Sequence, residues 1–283
     1  MKVCVDLGAT NIKSSLIKDG KILRLTSTPT VTTNGLSGIV ESLKASIDAF
    51  MQEGVRAVCI SSAGKIDVAT GKVVFATENL PGYTGFDIRT WVWETYRLPC
   101  VAVNDGLAAL LGEIALTEEY RTKKTVMLTF GSGVGGAYAV NGVLKADESN
   151  DFAHFGHLPI LENGEPCNCG KRGCAEQYLS GRGINRQAAE LGIGKDRIFA
   201  EKAKGNERAQ ELFDKLKTYL IKTLKEIEKT SPFDICILGG GVVDGMGDTF
   251  EEFANCDGFD IRKAKAGNAA GMLGAEYLGR NLL

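Results

Sequence analysis

The chain has 283 residues, of which 44% are hydrophobic and 24% charged, and its formal net charge is −2. This composition is ordinary for an ordered globular protein and excludes the disordered and membrane-spanning classes, while the length favours two hydrophobic cores over one. The small net charge and the scattered Lys and Arg residues exclude the basic surface that nucleic-acid binding requires. We therefore expect two domains and neither a nucleic acid nor a membrane as partner.

The chain begins with a strand-like run from Met1 to Asp6, which leaves no room for a signal peptide or an N-terminal DNA-binding module. We therefore expect a cytoplasmic protein. Its eight cysteines are then expected to remain reduced thiols. Cys4, Cys59, Cys100 and Cys236 lie in apolar, strand-like contexts and are predicted to be core residues.

The first half of the chain alternates extended and helical patterns, which is typical of a mixed α/β fold. The predicted elements are strands at 3–6 and 12–17, a hairpin turn at 18–20, a helix from 36 to 50, strands at 57–61 and 100–103, and a helix from about residue 105. In the second half, the spacing of apolar residues predicts a long helix over 209–227, a strand at 234–238 and a last helix over 269–278.

A weak internal repeat organises these elements. The run from Val3 to Gly8 can be laid over the run from Val126 to Gly131, and a second strand and a glycine turn follow each of them. We therefore predict two duplicated domains. The first spans 1–115 and is joined by the C-terminal helix 269–283, and the second spans 116–268.

Both histidines of the chain, His154 and His157, lie just upstream of three cysteines, Cys167, Cys169 and Cys174. Three thiolates at this spacing, with glycines that allow tight turns, favour a soft divalent cation, and one imidazole completes a closed Cys₃His set. We therefore predict a structural zinc site at His157, Cys167, Cys169 and Cys174. The alternatives are three free thiols in a glycine-rich turn, or a disulfide between two of them.

Glycine-rich turns follow three apolar strands, at Gly8 with Thr10, at Gly131 to Gly136 and at Gly239 to Gly241. Backbone N–H groups in such turns can approach phosphate oxygens closely, although one such turn alone is as compatible with a ligand-free hairpin. Asp105, preceded by Asn104, lies where a buried strand gives way to a helix. Its carboxylate is either a general base or the N-cap of that helix, and its position alone does not separate the two.

Four motifs, in this order along the chain, resemble those of the ROK family of repressors, open reading frames and sugar kinases. They are Asp6-Leu7-Gly8-Ala9-Thr10-Asn11-Ile12-Lys13, Asn104-Asp105, the turn at Gly131 to Gly136, and the cysteine set with His157. The resemblance covers nearly the whole chain. It implies an α/β actin-like ATPase fold of the ribonuclease-H type, with two duplicated domains around a cleft for nucleotide and sugar.

The resemblance also implies an ATP-dependent carbohydrate kinase that uses Mg²⁺ with ATP, acts on a hexose or hexosamine such as glucose, N-acetylmannosamine or fructose, and forms a homodimer. Asp105 would be the general base. The residues implied to bind ATP and its phosphates are Asp6, Gly8, Thr10, Asn11, Lys13, Gly131, Ser132, Gly133, Gly135, Gly239 and Gly240. Those implied to bind the sugar are Gly64, Asn79, Asn104, Asp105, His154, His157 and Glu176. Turn chemistry and, for Glu176, an exposed helix surface are the alternatives.

The sequence departs from the family pattern at one position. Where the family usually has Glu-x-Gly-His, this chain has His154-Phe155-Gly156-His157, so an imidazole replaces a carboxylate expected to contact the sugar. This replacement motivates the alternative of a non-catalytic sugar-binding or sensory protein of the same fold. A third interpretation, a transcriptional repressor, is disfavoured because neither N-terminal DNA-binding helices nor a basic surplus is present.

Overall fold

The computed structural model describes residues 1–145 and 151–282, and it divides into two compact units. Unit 1 comprises Met1–Glu118 and Asn268–Leu283, and unit 2 comprises Glu119–Gly267. Unit 1 is therefore built from two separate stretches of the chain, with unit 2 inserted between them.

The elements follow the α/β alternation that the sequence predicts. The first stretch contains β1 (Lys2–Leu7), β2 (Asn11–Lys18), β3 (Lys21–Pro29), α1 (Leu36–Asp48), β4 (Ala57–Ser62), β5 (Lys65–Asp67), β6 (Lys72–Phe75), α2 (Ile88–Tyr96), β7 (Cys100–Asn104) and α3 (Asp105–Leu116). The remainder contains β8 (Lys124–Phe130), β9 (Val134–Val140), β10 (Val143–Leu144), α4 (Glu176–Leu179), α5 (Gly181–Glu190), α6 (Ile198–Ala203), α7 (Glu207–Thr230), β11 (Ile235–Gly239), α8 (Gly241–Asp244), α9 (Phe250–Ala254), β12 (Ile261–Lys263) and α10 (Ala270–Leu282).

Each unit contains a five-stranded mixed sheet within its described residues. The strand order is β3-β2-β1-β4-β7 in unit 1 and β10-β9-β8-β11-β12 in unit 2. In both sheets the first three strands form an antiparallel meander, and the other two run parallel to the first strand. The duplication predicted from the repeat is therefore confirmed, because order and direction both match.

The central strands are buried on both faces, which explains their nearly continuous apolar sequences. In β1, Val3, Cys4, Val5 and Leu7 are fully buried, and the corresponding strand of unit 2, β8, is similarly covered. The cysteines predicted to be core residues, Cys4, Cys59, Cys100 and Cys236, are all buried. Thiols placed in this way act as small apolar side chains.

Helix α10 packs closely against α3 within unit 1, and glycines on both helices allow the approach. A Cβ atom on Gly112 would lie 2.4 Å from the carbonyl oxygen of Ala270, and one on Gly274 would lie 1.7 Å from that of Ala108. Both distances are far below van der Waals contact, so larger residues at these positions would separate the helices. Within the described part of the chain, every helix is too short or too polar to traverse a lipid bilayer.

Candidate active site

Asp105 is the first residue of α3 and directly follows the last residue of β7. The side chain of Asn104 caps this helix, because its Oδ1 accepts hydrogen bonds from the N–H groups of Gly106 at 2.9 Å and Leu107 at 3.2 Å. Its Nδ2 donates to the carbonyl oxygen of Gly64 and to Oδ1 of Asp105, both at 2.8 Å. The alternative that Asp105 is the N-cap is therefore wrong.

Asp105 is an exposed residue of unit 1, yet the protein packed around its carboxyl group raises the pKa of that group. Partial loss of hydration is the main cause, and the negative charge of Asp6 adds to it. Hydrogen bonds from Gly106 and Asn104 oppose the shift without cancelling it. A carboxylate that binds protons more tightly than usual is suited to accept one from a hydroxyl group.

Asp6 lies near the end of β1, opposite Ser61 on parallel β4 and Lys13 on antiparallel β2. The hydroxyl of Ser61 donates to Oδ1 of Asp6 at 2.8 Å. Burial raises the pKa of Asp6, and the Ser61 hydrogen bond and the Lys13 charge oppose that rise. A Cβ atom on Gly271 would lie 2.7 Å from both oxygens, so the backbone of α10 packs directly against this pair.

The first glycine turn joins β1 to β2. The N–H of Gly8 donates to the carbonyl oxygen of Asn11 at 3.1 Å, and the hydroxyl of Thr30 donates to the carbonyl oxygen of Gly8 at 2.7 Å. The side chains of Thr10 and Asn11 are exposed. The turn therefore holds its own backbone in place and presents two polar side chains to solvent.

Two further residues predicted to bind the sugar, Gly64 and Asn79, also lie in unit 1. Gly64 has a φ of 101°, and a Cβ atom there would lie 2.7 Å from the carbonyl oxygen of Phe75, so only glycine fits. Its own carbonyl oxygen is the acceptor for Asn104. Asn79 is exposed and directly precedes the buried Leu80, which anchors its loop to the core of unit 1.

The second glycine turn joins β8 to β9 and is shorter than predicted. It contains Gly131, Ser132 and Gly133, and the N–H of Gly131 donates to the carbonyl oxygen of Gly133 at 3.0 Å. Gly135 and Gly136 pair with β8 as part of β9. The prediction of a loop extending to Gly136 is therefore wrong, because the hairpin closes after three residues.

The third glycine turn, at Gly239 to Gly241, packs against the end of the strand that precedes the second turn. Gly239 is the last residue of β11, and Gly240, with a φ of 93°, precedes α8. A Cβ atom on Gly240 would lie 2.6 Å from the carbonyl oxygen of Phe130, the residue before Gly131. The two glycine turns of unit 2 therefore lie side by side, as expected for parts of one phosphate site.

Three residues that follow the cysteine cluster form hydrogen bonds with the Gly131–Gly133 turn and the residue after it. The N–H of Gly181 donates to the carbonyl oxygen of Gly131 at 2.7 Å, and Nε of Arg182 donates to that of Ser132 at 2.9 Å. Oε2 of Glu176 accepts a hydrogen bond from the N–H of Val134 at 3.0 Å. Hydrogen bonds with the first residues of α4 and α5 therefore hold this turn in place.

Glu176 is 9% exposed, so the alternative of an exposed helix surface is wrong for this residue. Besides its hydrogen bond to Val134, its Oε1 lies 3.9 Å from Nη2 of Arg182. A nearly buried carboxylate beside a guanidinium group is well placed for a polar ligand, because its charge is compensated before the ligand arrives.

A cavity of about 670 Å³ adjoins the two glycine turns of unit 2. Its wall combines apolar side chains, such as Ile184, Ile198 and Phe199, with backbone of the glycine turns and with charged groups. The lining residues are Gly131, Ser132, Gly181, Arg182, Ile184, Asn185, Lys195, Asp196, Ile198, Phe199, Gly241, Val242 and Gly245. An apolar wall with polar groups at one end is typical of a site for a nucleotide base and its phosphates.

The predicted metal ligands lie together. His157, Cys167, Cys169 and Cys174 each offer one ligand atom, and these atoms all lie within 4.8 Å of one another. Nδ1 of His157 lies 3.5 Å from Sγ of Cys167, and the sulfurs of Cys169 and Cys174 lie 3.6 Å apart. Four ligands around a tetrahedral zinc, with Zn–S bonds near 2.3 Å, are separated by about 3.8 Å. The four side chains therefore fit a zinc ion.

The backbone around this cluster turns at glycines. Gly170 and Gly173 have φ values of 85° and 70°, and a Cβ atom on Gly173 would lie 1.8 Å from the carbonyl oxygen of Leu161. The N–H of Ala175 donates to the carbonyl oxygen of Leu158 at 3.0 Å. These contacts join the segment after His157 to the segment before Glu176, so the cluster lies at the base of α4.

His154 lies three residues before the metal ligand His157, in a short 3₁₀ segment (Asp151–His157) that is kinked at His154 itself. Its side chain is exposed, and the centroids of the two imidazole rings lie 5.7 Å apart. His154 is therefore beside the metal cluster and open to solvent.

The predicted site residues divide between the two units, and each unit gathers its own set. Unit 1 carries Asp6, Gly8, Thr10, Asn11, Lys13, Gly64, Asn79, Asn104 and Asp105. Unit 2 carries Gly131, Ser132, Gly133, Gly135, His154, His157, Cys167, Cys169, Cys174, Glu176, Gly239 and Gly240. Ser61 in the first set and Arg182 in the second were not predicted from the sequence.

The chain is similar in sequence and in structure to several known sugar kinases. The N-acetylmannosamine kinase of Shigella boydii serotype 18 is 30% identical over 243 residues, which cover 85% of this chain and 82% of that protein. Among solved structures, a ROK hexokinase from Thermus thermophilus matches with a TM-score of 0.81 at 26% identity. A ROK family glucokinase from Streptomyces griseus, in complex with glucose and AMPPNP, matches with a TM-score of 0.75 at 26% identity. Each structural match covers 99% of both chains.

These matches confirm the predicted actin-like fold of the ribonuclease-H type, which the two sheets of equal topology display. The model of the ROK family matches residues 2–281, nearly the full length of the chain. The chain belongs to the ROK family.

Proposed function

We propose that the protein is an ATP-dependent sugar kinase that transfers the γ-phosphate to a hydroxyl group of a hexose or hexosamine. Units 1 and 2 are its two domains. The relatives support this class, because they are kinases of N-acetylmannosamine, hexoses and glucose, and the Streptomyces griseus relative carries glucose and an ATP analogue. N-acetylmannosamine and glucose are therefore the first substrates to test.

The observation that carries the proposal is the placement of Asp105. The residue is exposed, its carboxylate is held at Oδ1 by Asn104 and Gly106, and partial loss of hydration raises the pKa of that carboxylate. In the proposed reaction, Asp105 accepts the proton of the sugar hydroxyl as that oxygen bonds to the γ-phosphorus. The bond from the γ-phosphorus to the bridging oxygen breaks, and ADP leaves. Asn104 orients the base and, with Gly64 and Asn79, the sugar.

The proposed donor site lies in unit 2, where the cavity adjoins two glycine turns. The cavity takes the adenosine, while the backbone N–H groups of Ser132, Gly133 and Gly240 hold the phosphates. In unit 1, the turn at Gly8 to Lys13 is proposed by itself as a phosphate-binding turn. Asp6 and Ser61 supply oxygen ligands of the kind Mg²⁺ prefers, and Mg²⁺ bound with ATP neutralises charge on the transferring phosphoryl group.

We propose a structural role for zinc at the cluster of His157 with Cys167, Cys169 and Cys174. A Cys₃His set leaves no open coordination position for water, so the ion would stabilise the loop and contribute no chemistry. Because α4 begins two residues after Cys174, the ion fixes the position of Glu176, which we propose as a sugar ligand together with His154 and His157.

The imidazole of His154 replaces the carboxylate of the family pattern, and it can donate a hydrogen bond where a carboxylate only accepts. An acceptor group on the sugar, such as the carbonyl of an N-acetyl group, would complement that donor. The homodimer and the lack of a nucleic-acid partner remain predictions.

The test is a coupled ADP-release assay with Mg-ATP over hexoses, N-acetylhexosamines and β-glucosides, using wild-type protein and Asp105→Asn. We expect turnover with at least one sugar, and a kcat lower by about 10²–10⁴ in the variant with sugar affinity retained, as for the loss of a general base. Asp19→Asn, in the exposed turn between β2 and β3, is the matched control and should turn over normally.

Normal turnover by Asp105→Asn would refute its role as the base. Sugar binding by the wild-type protein without turnover on any sugar would instead support the non-catalytic, sensory alternative.

A further inference from the structure

Arg182 occupies a distinctive position in unit 2. It is the second residue of α5, and its Nε donates to the carbonyl oxygen of Ser132 at 2.9 Å, in the middle of the Gly131–Gly133 turn. This hydrogen bond uses one of the five N–H donors of the guanidinium group and holds the group beside the turn. The side chain as a whole is 71% exposed.

Arg182 also lines the cavity of about 670 Å³, as do Gly131 and Ser132. Its guanidinium therefore lies where the apolar cavity wall meets the glycine turn. Lys195 is a second cation on the wall, and the acidic Asp196 beside it accepts a hydrogen bond from Asn185 at 2.7 Å. The cavity thus has cationic groups available to an anionic ligand.

The acidic neighbour of Arg182 leaves it available for a ligand. Nη2 lies 3.9 Å from Oε1 of Glu176, which is too long for a hydrogen bond, and Oε2 of Glu176 already accepts from Val134. The pair therefore compensates charge without consuming the N–H donors on both Nη atoms. Arginine is the side chain best suited to bind phosphate oxygens in pairs, because its planar guanidinium group carries several N–H donors.

We propose that Arg182 is a phosphate-binding residue of the donor site, whose guanidinium, oriented by Ser132, holds the phosphate chain of ATP beside the Gly131–Gly133 turn. This assignment rests on the proposed kinase function. It places the phosphate chain between the cavity, which takes the adenosine, and Glu176, the proposed sugar ligand. A phosphate chain in that position leads from the base-binding end of the site toward the sugar.

The test compares the binding of ATP with the binding of adenosine by titration calorimetry, using the full chain and three variants. Arg182→Gln removes the charge, and we expect ATP affinity to fall about 10- to 100-fold, as for the loss of hydrogen bonds to a charged group. Adenosine affinity should stay unchanged, because adenosine carries no phosphate. In turnover, KM for ATP should rise while KM for the sugar stays the same.

Arg182→Lys should give an intermediate loss of ATP affinity, because lysine retains the charge but not the planar fork. Arg186→Gln is the matched control. Arg186 lies one turn further along α5, pairs with Glu165 at 3.0 Å, and does not line this cavity, so its replacement should leave ATP affinity at the wild-type value. Thermal unfolding is measured first, and Arg182→Lys supplies the comparison if the glutamine variant does not fold.

Equal loss of ATP and adenosine affinity in Arg182→Gln would overturn the proposal, because it would indicate a purely structural role. Unchanged ATP affinity in an enzyme that turns over would overturn the assignment of Arg182 alone. A wild-type protein that binds no ATP would overturn both this assignment and the proposed kinase function.

Discussion

Oε2 of Glu176 accepts a hydrogen bond from the backbone N–H of Val134 at 3.0 Å. Glu176 follows the metal-cluster residue Cys174 by two positions, and Val134 is the first residue after the Gly131–Gly133 turn. One hydrogen bond therefore connects the helix at the cysteine cluster with the turn proposed to hold phosphate. We expect a change at either end to alter the position of this carboxylate.

Gly133→Ala tests this connection. A Cβ atom on Gly133 would lie 2.5 Å from Oε2 of Glu176, so the carboxylate must move and its hydrogen bond to Val134 must weaken. We expect a free energy of unfolding lower by about 1–3 kcal/mol, the range for overpacking and for a disrupted buried hydrogen bond. The measurement is chemical denaturation. Gly131→Ala is the control, since its Cβ atom would meet nothing within 4 Å, and equal stability of the two variants would contradict the prediction.

Zinc content tests the metal cluster. We expect about one zinc per chain by atomic absorption, and less in Cys169→Ser, together with a lower Tm, because a closed site contributes its binding free energy to folding. Cys169 is exposed, so its replacement by serine creates no cavity. Cys256→Ala, at a buried thiol outside the cluster, should keep its zinc. Zinc-free protein with the Tm of the purified wild type would refute a structural ion.

The crossing of α3 and α10 predicts an unusual response to alanine. Glycine-to-alanine changes at compatible positions normally stabilise a protein by about 0.4–1 kcal/mol. At Gly274 the new Cβ atom would lie 1.7 Å from the carbonyl oxygen of Ala108, so Gly274→Ala should instead destabilise by about 1–3 kcal/mol. Gly241→Ala, in α8 with open space around it, is the control and should be neutral or slightly stabilising. The measurement is the Tm of both variants, and a Tm of Gly274→Ala equal to that of Gly241→Ala would contradict the prediction.

The pH dependence of turnover follows from the raised pKa of Asp105. A general base works only when it is ionised, so kcat/KM should fall as the pH is lowered through that pKa, which lies above the ordinary value of 3.8. The acid limb of the profile should therefore lie at higher pH than an unperturbed aspartate would give. The residual activity of Asp105→Asn should lack this limb, and a limb unchanged in the variant would assign it to another group.

The raised pKa of Asp105 also predicts that Asp105→Asn, which should lower activity, raises the free energy of unfolding at neutral pH. Because folding raises the pKa of Asp105, its protonated form stabilises the folded state below the unfolded pKa, and that contribution is lost as the pH rises through the folded pKa. Asp105→Asn, which cannot ionise, should therefore be more stable than wild type at pH 7. The difference should disappear near pH 3, measured by denaturant unfolding at both values, and a less stable variant at pH 7 would contradict the shift.

Features that depend on neighbours in sequence were predictable here. The ligands from Cys167 to Cys174 lie within one short loop, and the three strand ends carry their own glycines, so local spacing was enough to identify them. Ser61 and Arg182 were missed, because their importance comes from pairing with Asp6 and Ser132, which lie 55 and 50 positions away in the chain. The sequence does contain a small polar residue near the end of a buried strand and a Ser-Gly pair at the start of a helix. Neither feature identifies the residue with which Ser61 or Arg182 forms its hydrogen bond.

The loop predicted from Gly131 to Gly136 was wrong for a related reason. Glycines mark where a backbone can turn, but strand register decides where it does, and the pairing of Leu128 with Gly136 extends β9 back to Val134. The cap at Asn104 was likewise decided by geometry, since Asn and Asp are about equally good N-caps.

Because α10 belongs to unit 1 but lies at the C-terminus, unit 1 is the last unit to be completely translated. During synthesis from the N-terminus, β1 to α3 emerge without the helix that covers Gly112 and packs against Asp6, and the whole of unit 2 is translated before that helix appears. Unit 2 is continuous in sequence, whereas unit 1 is incomplete until α10 has been translated. The ribosome therefore completes first the unit proposed to hold adenosine, and last the unit that carries the proposed base.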